Sequence, residues 1–301
     1  MSPPDTPLDT QAVTAAALAQ HPRDWAGFAY VYPVVSRRSH GLSLGINLQP
    51  SGACNFDCVY CCVERSAGVK PDRVDLDRLR FELDHLLRRA SSGAIWNDPR
   101  FRDVDAAYRR VNDIAFSGNG EPTVSPAFEE AVDLAIDARQ AARFDERVKL
   151  VLITNATRLD RPRVAETLDK MDRAGGFEPW VKLDAGTADD YRRIDRSTVP
   201  FEKVLASILA FGRRHAVVMQ TMLCRLEGEA MSPGDFDAYL QRLCELRDAG
   251  CRMQAVHLYT VARQTAEASV SPCTDAELEA YAAALRERLP EVQVATFPAP
   301  G

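Results

Sequence analysis

The feature that most restricts what this chain can fold into is a regular exchange between two hydrophobic periods. Leu42, Leu44, Ile46 and Leu48 alternate with Ser43, Gly45, Asn47 and Gln49, the period of two expected of a strand with one apolar face. Pro50-Ser51-Gly52 ends that run. After a cysteine-bearing loop, Leu76, Leu79, Leu83 and Leu87 recur at helical spacing, with Asp75 or Asp77 available as N-cap. The exchange then repeats, with strands expected near 113–117, 148–153, 180–183, 216–223, 253–261 and 292–297. Helices are expected near 126–143, 161–173 and 201–213. Two more open at Ser232-Pro233, a cap followed by proline at the first helical position, and at Thr274-Asp275-Ala276-Glu277, which has capping-box form.

Strands that alternate with helices imply right-handed βαβ units and a parallel sheet, and about six units in a row suit a partial (β/α)6 TIM-like barrel. A doubly wound open sheet is the alternative. In both, ligands lie beyond the C-terminal ends of the strands, so the loops there are where chemistry is to be sought. Residues 1–40 are read as an N-terminal arm with a short alanine-rich surface helix, and residues 41–301 as the barrel domain. The polar stretch 91–108 reads as an insertion.

With 301 residues, 46% of them hydrophobic and 27% charged, the chain can bury a large core without disulfides or metal staples. The first twenty residues have neither a basic segment nor a continuous apolar one, so neither a signal peptide nor a membrane anchor is expected, and a reducing, cytoplasmic setting is. There, closely spaced cysteines are read as metal-binding or catalytic. The net charge of −6 disfavours a nucleic-acid partner, whose phosphates call for a basic surface. The pairs Arg37-Arg38, Arg88-Arg89 and Arg213-Arg214 read as solvated surface.

Cys54, Cys58 and Cys61 form a C-x3-C-x2-C loop shortly after the first of these strands. Three thiolates on one tight loop can hold three irons of a [4Fe-4S] cubane and leave the fourth without a protein ligand. A structural zinc site wants four ligands, commonly two C-x2-C knuckles, and no second knuckle or histidine pair follows. A redox pair of Cys58 with Cys61 is the other alternative. The spacing favours Cys61 over its neighbour Cys62, and Cys224, Cys244, Cys251 and Cys273 are scattered as ordinary cysteines are.

The run GINLQPSGACNFDCVYC, including Tyr60 before the third cysteine, resembles the signature of the radical S-adenosylmethionine (SAM) superfamily. The resemblance extends over nearly the whole chain after Tyr30 and is greatest to the branch of tRNA wyosine-base synthases and their relatives. It implies a [4Fe-4S] cluster on Cys54, Cys58 and Cys61, SAM chelated to the open iron, an external one-electron reductant, and a 5′-deoxyadenosyl radical that takes a hydrogen atom from a substrate. Wyosine-type modification of tRNA is a minority expectation, because those synthases carry further cysteines upstream and this chain has none before Cys54. A non-enzymatic electron-transfer or metal-binding protein is the reading from another class.

The remaining candidates fall at strand ends. Gly118, Asn119, Gly120, Glu121 and Pro122 follow the second strand, where glycines let backbone approach a ligand and a carboxylate can accept from an ammonium. They resemble the family's GGEP-type motif, which implies contacts to the amino group of SAM. Asn119 replaces its first glycine, and a different backbone is expected there. Thr154 and Asn155 follow the third strand as ribose-binding candidates or as a turn. Ala156 after them stands where relatives often carry glycine. Lys182 and Asp184 share a face at the end of the fourth strand, as SAM or substrate contacts or as a structural ion pair, with Gln220 weaker on the fifth. His257 and Tyr259 share a face of the sixth, with Arg263 just beyond. The similar family segment lies near adenine and substrate.

Overall fold

A computed structural model describes residues 14, 17, 23–65 and 68–300. Seven parallel strands appear in chain order across one sheet: β2 (Gly41–Ile46), β3 (Val111–Phe116), β4 (Lys149–Thr154), β5 (Phe177–Lys182), β6 (Val217–Met222), β8 (Met253–Tyr259) and β10 (Gln293–Phe297). An eighth, β1 (Val31–Ser36), lies antiparallel on the outer edge of β2, with Val31 opposite Ile46 and Ser36 opposite Gly41. A doubly wound sheet reverses its strand order at a switch point. This one never does, which settles the choice for the partial barrel.

Helices α1 (Leu76–Ser91), α2 (Phe128–Ala141), α3 (Pro162–Arg173), α5 (Phe201–Gly212), α6 (Pro233–Asp248) and α7 (Asp275–Arg288) make the six crossovers, and short α4 (Ala188–Ile194) precedes α5. The caps are those the sequence offered. Asp75 accepts from the Arg78 amide at 3.0 Å, Ser232 caps α6 ahead of Pro233, and Thr274 with Glu277 forms a complete capping box. Alternation sends Leu42, Leu44, Ile46, Ile114, Phe116, Leu150, Leu152, Val256 and Leu258 outward into the layer shared with the helices. There Leu79, Leu83, Leu86 and Leu87 of α1 are at most 1% exposed, each stabilising the fold by about 2 kcal/mol. The opposite parity lines the concave face, with Ala115, Val151, Trp180, Val218 and Ala255 as its small apolar floor.

The sheet curls until its edges approach. In the turn between β1 and β2, Arg37 donates to the Pro298 carbonyl just past β10, and the His40 ring stands 6.4 Å from Phe297. Strands β7 (Cys224–Leu226) and β9 (Val270–Pro272) form a separate antiparallel ribbon beyond β6 and β8. The expected boundary at residue 40 falls inside the β1–β2 turn. The alanine-rich helix of the arm lies outside the described residues apart from Thr14 and Ala17. Residues 91–108, read as an insertion, bury Ile95, Phe101 and Val104 against the core. No described helix is long and apolar enough to cross a membrane.

Candidate active site

The three motif cysteines sit on the loop leaving β2, and Cys54, Cys58 and Cys61 line one cavity of about 250 Å³ at the C-terminal end of the sheet. Gly118, Gly120, Glu121, Thr154, Asn155, Lys182 and Tyr259 share its wall. No three described His, Cys, Asp or Glu side chains converge on a point where one metal ion would be held. Thiolates that each bond a different iron of a cubane need no such convergence, so the donor set fits a cluster on the three-cysteine loop.

Charge around the thiols is divided. Arg65 donates to Cys61 Sγ at 3.2 Å and to the carbonyls of Gly52 and Asn119, while its Nε is buried without a partner. The Val63 amide is 3.4 Å from the same sulfur. Burial pushes the Cys54 thiol up and the Cys58 thiol up further, with Asp195 adding to it. Both thiols are therefore held protonated until a metal offsets the charge of the thiolate.

Glycines are required where the β3 loop meets the cysteine loop. Gly118 has φ +152°, and a Cβ on it would lie 2.3 Å from Asn47 Oδ1. At Gly120 a Cβ would stand 1.8 Å from the Ala53 carbonyl oxygen. Asn119, in the place of a glycine, needs no left-handed backbone. Its amide donates to Asn47 Oδ1 (3.1 Å) and its side chain to the Pro50 carbonyl (3.0 Å). The substitution thus ties the two loops together instead of altering the backbone class. Pro122 is buried at the start of the turn that follows.

Glu121 is 3% exposed. Its Oε1 accepts from Thr123 N and Oγ1 and from Thr154 Oγ1 at 3.2, 2.6 and 2.7 Å, and Oε2 accepts from the Asn155 amide at 2.8 Å. Four donors occupy the roughly four lone-pair directions of a carboxylate, so Glu121 joins the β3 and β4 loops. Asn155 extends the tie by donating to Asn55 Oδ1 at 2.8 Å, and its own oxygen caps the turn through Thr157. Ala156, buried at φ 65°, takes the left-handed conformation that glycine would adopt freely.

Lys182 and Asp184 form an ion pair with Nζ–Oδ2 3.0 Å and side chains 14% and 1% exposed. Lys182 also donates to Tyr259 Oη (2.6 Å), and Asp184 accepts from Tyr60 Oη (2.5 Å) and the Met222 amide (2.7 Å). Burial opposes the Lys182 charge, but Asp184, Tyr259 and Cys58 outweigh it and hold its pKa above the usual lysine value. Tyr60, next to the third cysteine, is raised by burial and by Asp184. This network links the cysteine loop to β5, β6 and β8.

His257 is placed elsewhere. It lines a second opening at the N-terminal end of the strands, 2.8 Å from Gln220 Nε2 and packed against Trp180 and Phe297. Burial, then Arg38, lowers its pKa to about 4. Arg38, assigned to surface by its neighbour Arg37, instead turns into the barrel. Its Nη1 donates to Gln220 Oε1 at 2.6 Å, and its guanidinium lies between the rings of Trp180 and Tyr259, 4.8 and 4.9 Å from their centroids. Neither Arg38 nor Asp195, which stands 3.4 Å from Cys58 Sγ, carried a motif that marked it.

A curled parallel sheet with a three-cysteine loop after its first parallel strand defines a class, the radical SAM proteins. The model of the radical SAM superfamily matches residues 48–229, and the chain belongs to that superfamily, whose members are enzymes that use SAM and a [4Fe-4S] cluster. It is similar to the GTPase Obg of Brachyspira hyodysenteriae, 22% identical over 249 residues that make up 82% of this chain and 32% of that one. It is also similar to UPF0026 protein MJ1312 of Methanocaldococcus jannaschii, 26% identical over 64% of this chain and 52% of the relative. The chain thus spans a third to a half of these relatives. A radical SAM methyltransferase from Sphaerobacter thermophilus shares the fold at TM-score 0.60 and 14% identity, over 89% of this chain and 68% of that one.

Proposed function

We propose that this protein reductively cleaves SAM at a [4Fe-4S] cluster held by Cys54, Cys58 and Cys61, and that the reaction is hydrogen abstraction from a substrate bound in the barrel. The observation that carries this is the presence of all three thiols on the wall of the same cavity as the β3 and β4 loops. When bound and reduced, the cluster supplies the electron that splits SAM into methionine and a 5′-deoxyadenosyl radical.

The protein's own part is positioning. Arg65 holds the Cys61 sulfur in place by an N–H···S bond. Gly118 and Gly120 bring backbone to the cavity where a side chain would block it. Glu121 fixes the Asn155 amide and the Thr154 hydroxyl rather than offering its own oxygens to an ammonium. Lys182 and Tyr259 face the cavity as groups that orient the nucleoside or the substrate. His257, on the other opening, is not in this set. An external one-electron donor completes the system, and the acidic balance of −6 argues against tRNA as substrate.

The test is anaerobic reconstitution with iron and sulfide, reduction with SAM present, and assay of 5′-deoxyadenosine in wild type and Cys58→Ala. Product in the first and none in the second supports the reading, and an assembled cluster that never cleaves SAM under several reductants overturns it.

A further inference from the structure

The charge inside the barrel opposes that of the whole chain. Arg37 and Arg38 stand in the turn between β1 and β2, and Arg263 on the loop after β8. The three are close enough to lower the pKa of Arg37, to about 10, and that of Arg38, burial being the larger cause for each. None of them makes an ion pair among the described residues, although twenty such pairs hold other charges there, those of thirteen other arginines included. The carboxylate that faces Arg38 is Asp113, 2% exposed and bonded to Ser43. It lies outside ion-pair distance of Arg38. Its Oδ2 has no partner, with Ser39 Oγ near it but outside hydrogen-bond geometry. One carboxylate against three guanidiniums leaves a local surplus of two positive charges.

Two of these arginines face the cavity that the cysteines line. Arg38 has spent one of its five N–H donors, on Gln220, and stacking between Trp180 and Tyr259 fixes the plane of the fork. Arg263 makes no hydrogen bond at all among the described residues and lines the same wall. A guanidinium held rigid by aromatic faces with most of its donors open is built for bidentate recognition of an oxyanion.

We infer that Arg38 and Arg263 form a subsite for an anionic group, a carboxylate or a phosphate, of the substrate. Arg38 enters from the N-terminal end of β2, and the cysteine loop leaves from its C-terminal end. Arg263 comes instead from the loop after β8, whose Ala266 amide donates to the Cys61 carbonyl at 2.9 Å, so the two guanidiniums reach the cavity from opposite ends of the sheet. The anion neutralises the arginine surplus and anchors the substrate in the cavity that the cysteines line. The inference rests on the reading of this cavity as a radical SAM site for its meaning, though not for its test.

The test is binding of inorganic phosphate, of malonate and of neutral malonamide to the full chain in a buffer free of other oxyanions. It is followed by titration calorimetry and by the rise in unfolding temperature. Phosphate or malonate is expected to bind wild type, and malonamide is not. Arg38→Met and Arg263→Met are each expected to weaken binding roughly tenfold to a hundredfold, the worth of a charge-assisted hydrogen bond, and Arg38→Lys to weaken it less. Phosphate alone binding marks a phosphate-bearing substrate, malonate alone a carboxylate-bearing one, and either supports the subsite. If Arg38→Met does not fold, Arg263→Met carries the test, since Arg263 has no bond to lose. Absence of binding to wild type, or binding by both methionine variants as tight as by wild type, overturns the inference. A wild type that binds the anion through Arg38 but never makes 5′-deoxyadenosine would sink the radical reading and leave the subsite standing.

Discussion

Replacing Gly120 with alanine places a methyl carbon 1.8 Å from the Ala53 carbonyl oxygen and 2.9 Å from Gln49 Cβ. Real Cβ atoms essentially never come within 3.0 Å of another heavy atom, so one loop must retreat by at least about 1.2 Å. The obstacle is backbone on both sides, so no rotamer relieves it. Ala53 adjoins Cys54, and the displacement passes to the first cluster ligand through one peptide unit. Overpacking of this kind costs about 1–3 kcal/mol of stability, and a shift of about 1 Å at a positioned reactive group costs on the order of a hundredfold in rate. Gly120→Ala is therefore expected to fold, to bind less iron per chain after anaerobic reconstitution, and to form 5′-deoxyadenosine roughly a hundredfold more slowly. Gly234→Ala is the control: its Cβ meets nothing nearer than Ser232 Oγ at 4.0 Å in the first turn of α6, and alanine there is neutral or stabilises by up to about 1 kcal/mol. Wild-type iron content and SAM cleavage in Gly120→Ala would refute the claim that this contact sets the position of the cysteine loop.

Asp184→Asn leaves Lys182 charged and buried without its carboxylate, and a loss of roughly 3–5 kcal/mol is expected in urea unfolding; a loss under 1 kcal/mol would show that Tyr259 and water suffice. His257 has its pKa lowered from 6.5 to about 4, so the unfolded chain takes up its proton first as pH falls. Stability contributed by the neutral ring is complete above pH 6.5 and is lost between 6.5 and 4, by about 3 kcal/mol. Wild type should lose that much relative to His257→Gln over this range, and parallel pH curves for the two would contradict it. With a net charge of −6, tRNA should show no gel shift even at low salt; a shift that weakens steeply with added salt would restore tRNA as a partner.

The strands and helices of the barrel were legible because periods of 2 and 3.6 separate cleanly on an amphipathic sheet and its covering helices. The elements that escaped lack that signal. Val31–Ser36 reads VYPVVS, with no alternation of apolar and polar residues and with Pro33 inside it, and proline is tolerated only because β1 is an edge strand. β7 and β9 have three residues each, and α4 has seven.

At the site, the cysteine spacing was legible because the loop is local in sequence. What Glu121 does was not, since its four donors come from Thr123, Thr154 and Asn155 on two different loops. Lys182 and Asp184 were paired by parity alone, while the tyrosines that complete their network come from other segments. Arg38 misled the reading. Two adjacent arginines look like surface, and only the β1–β2 turn decides that Arg37 reaches Pro298 while Arg38 passes inward to Gln220.

The central claim is that Cys54, Cys58 and Cys61 hold a cluster that cleaves SAM, and Cys58 is the residue to remove, because it is tied into the site through Asp195. Wild type, reconstituted and reduced with SAM, is expected to release 5′-deoxyadenosine, and Cys58→Ala none. Equal product from both would show that the cleavage does not depend on this loop. A wild type with a full cluster and no product under several reductants would contradict the radical chemistry itself.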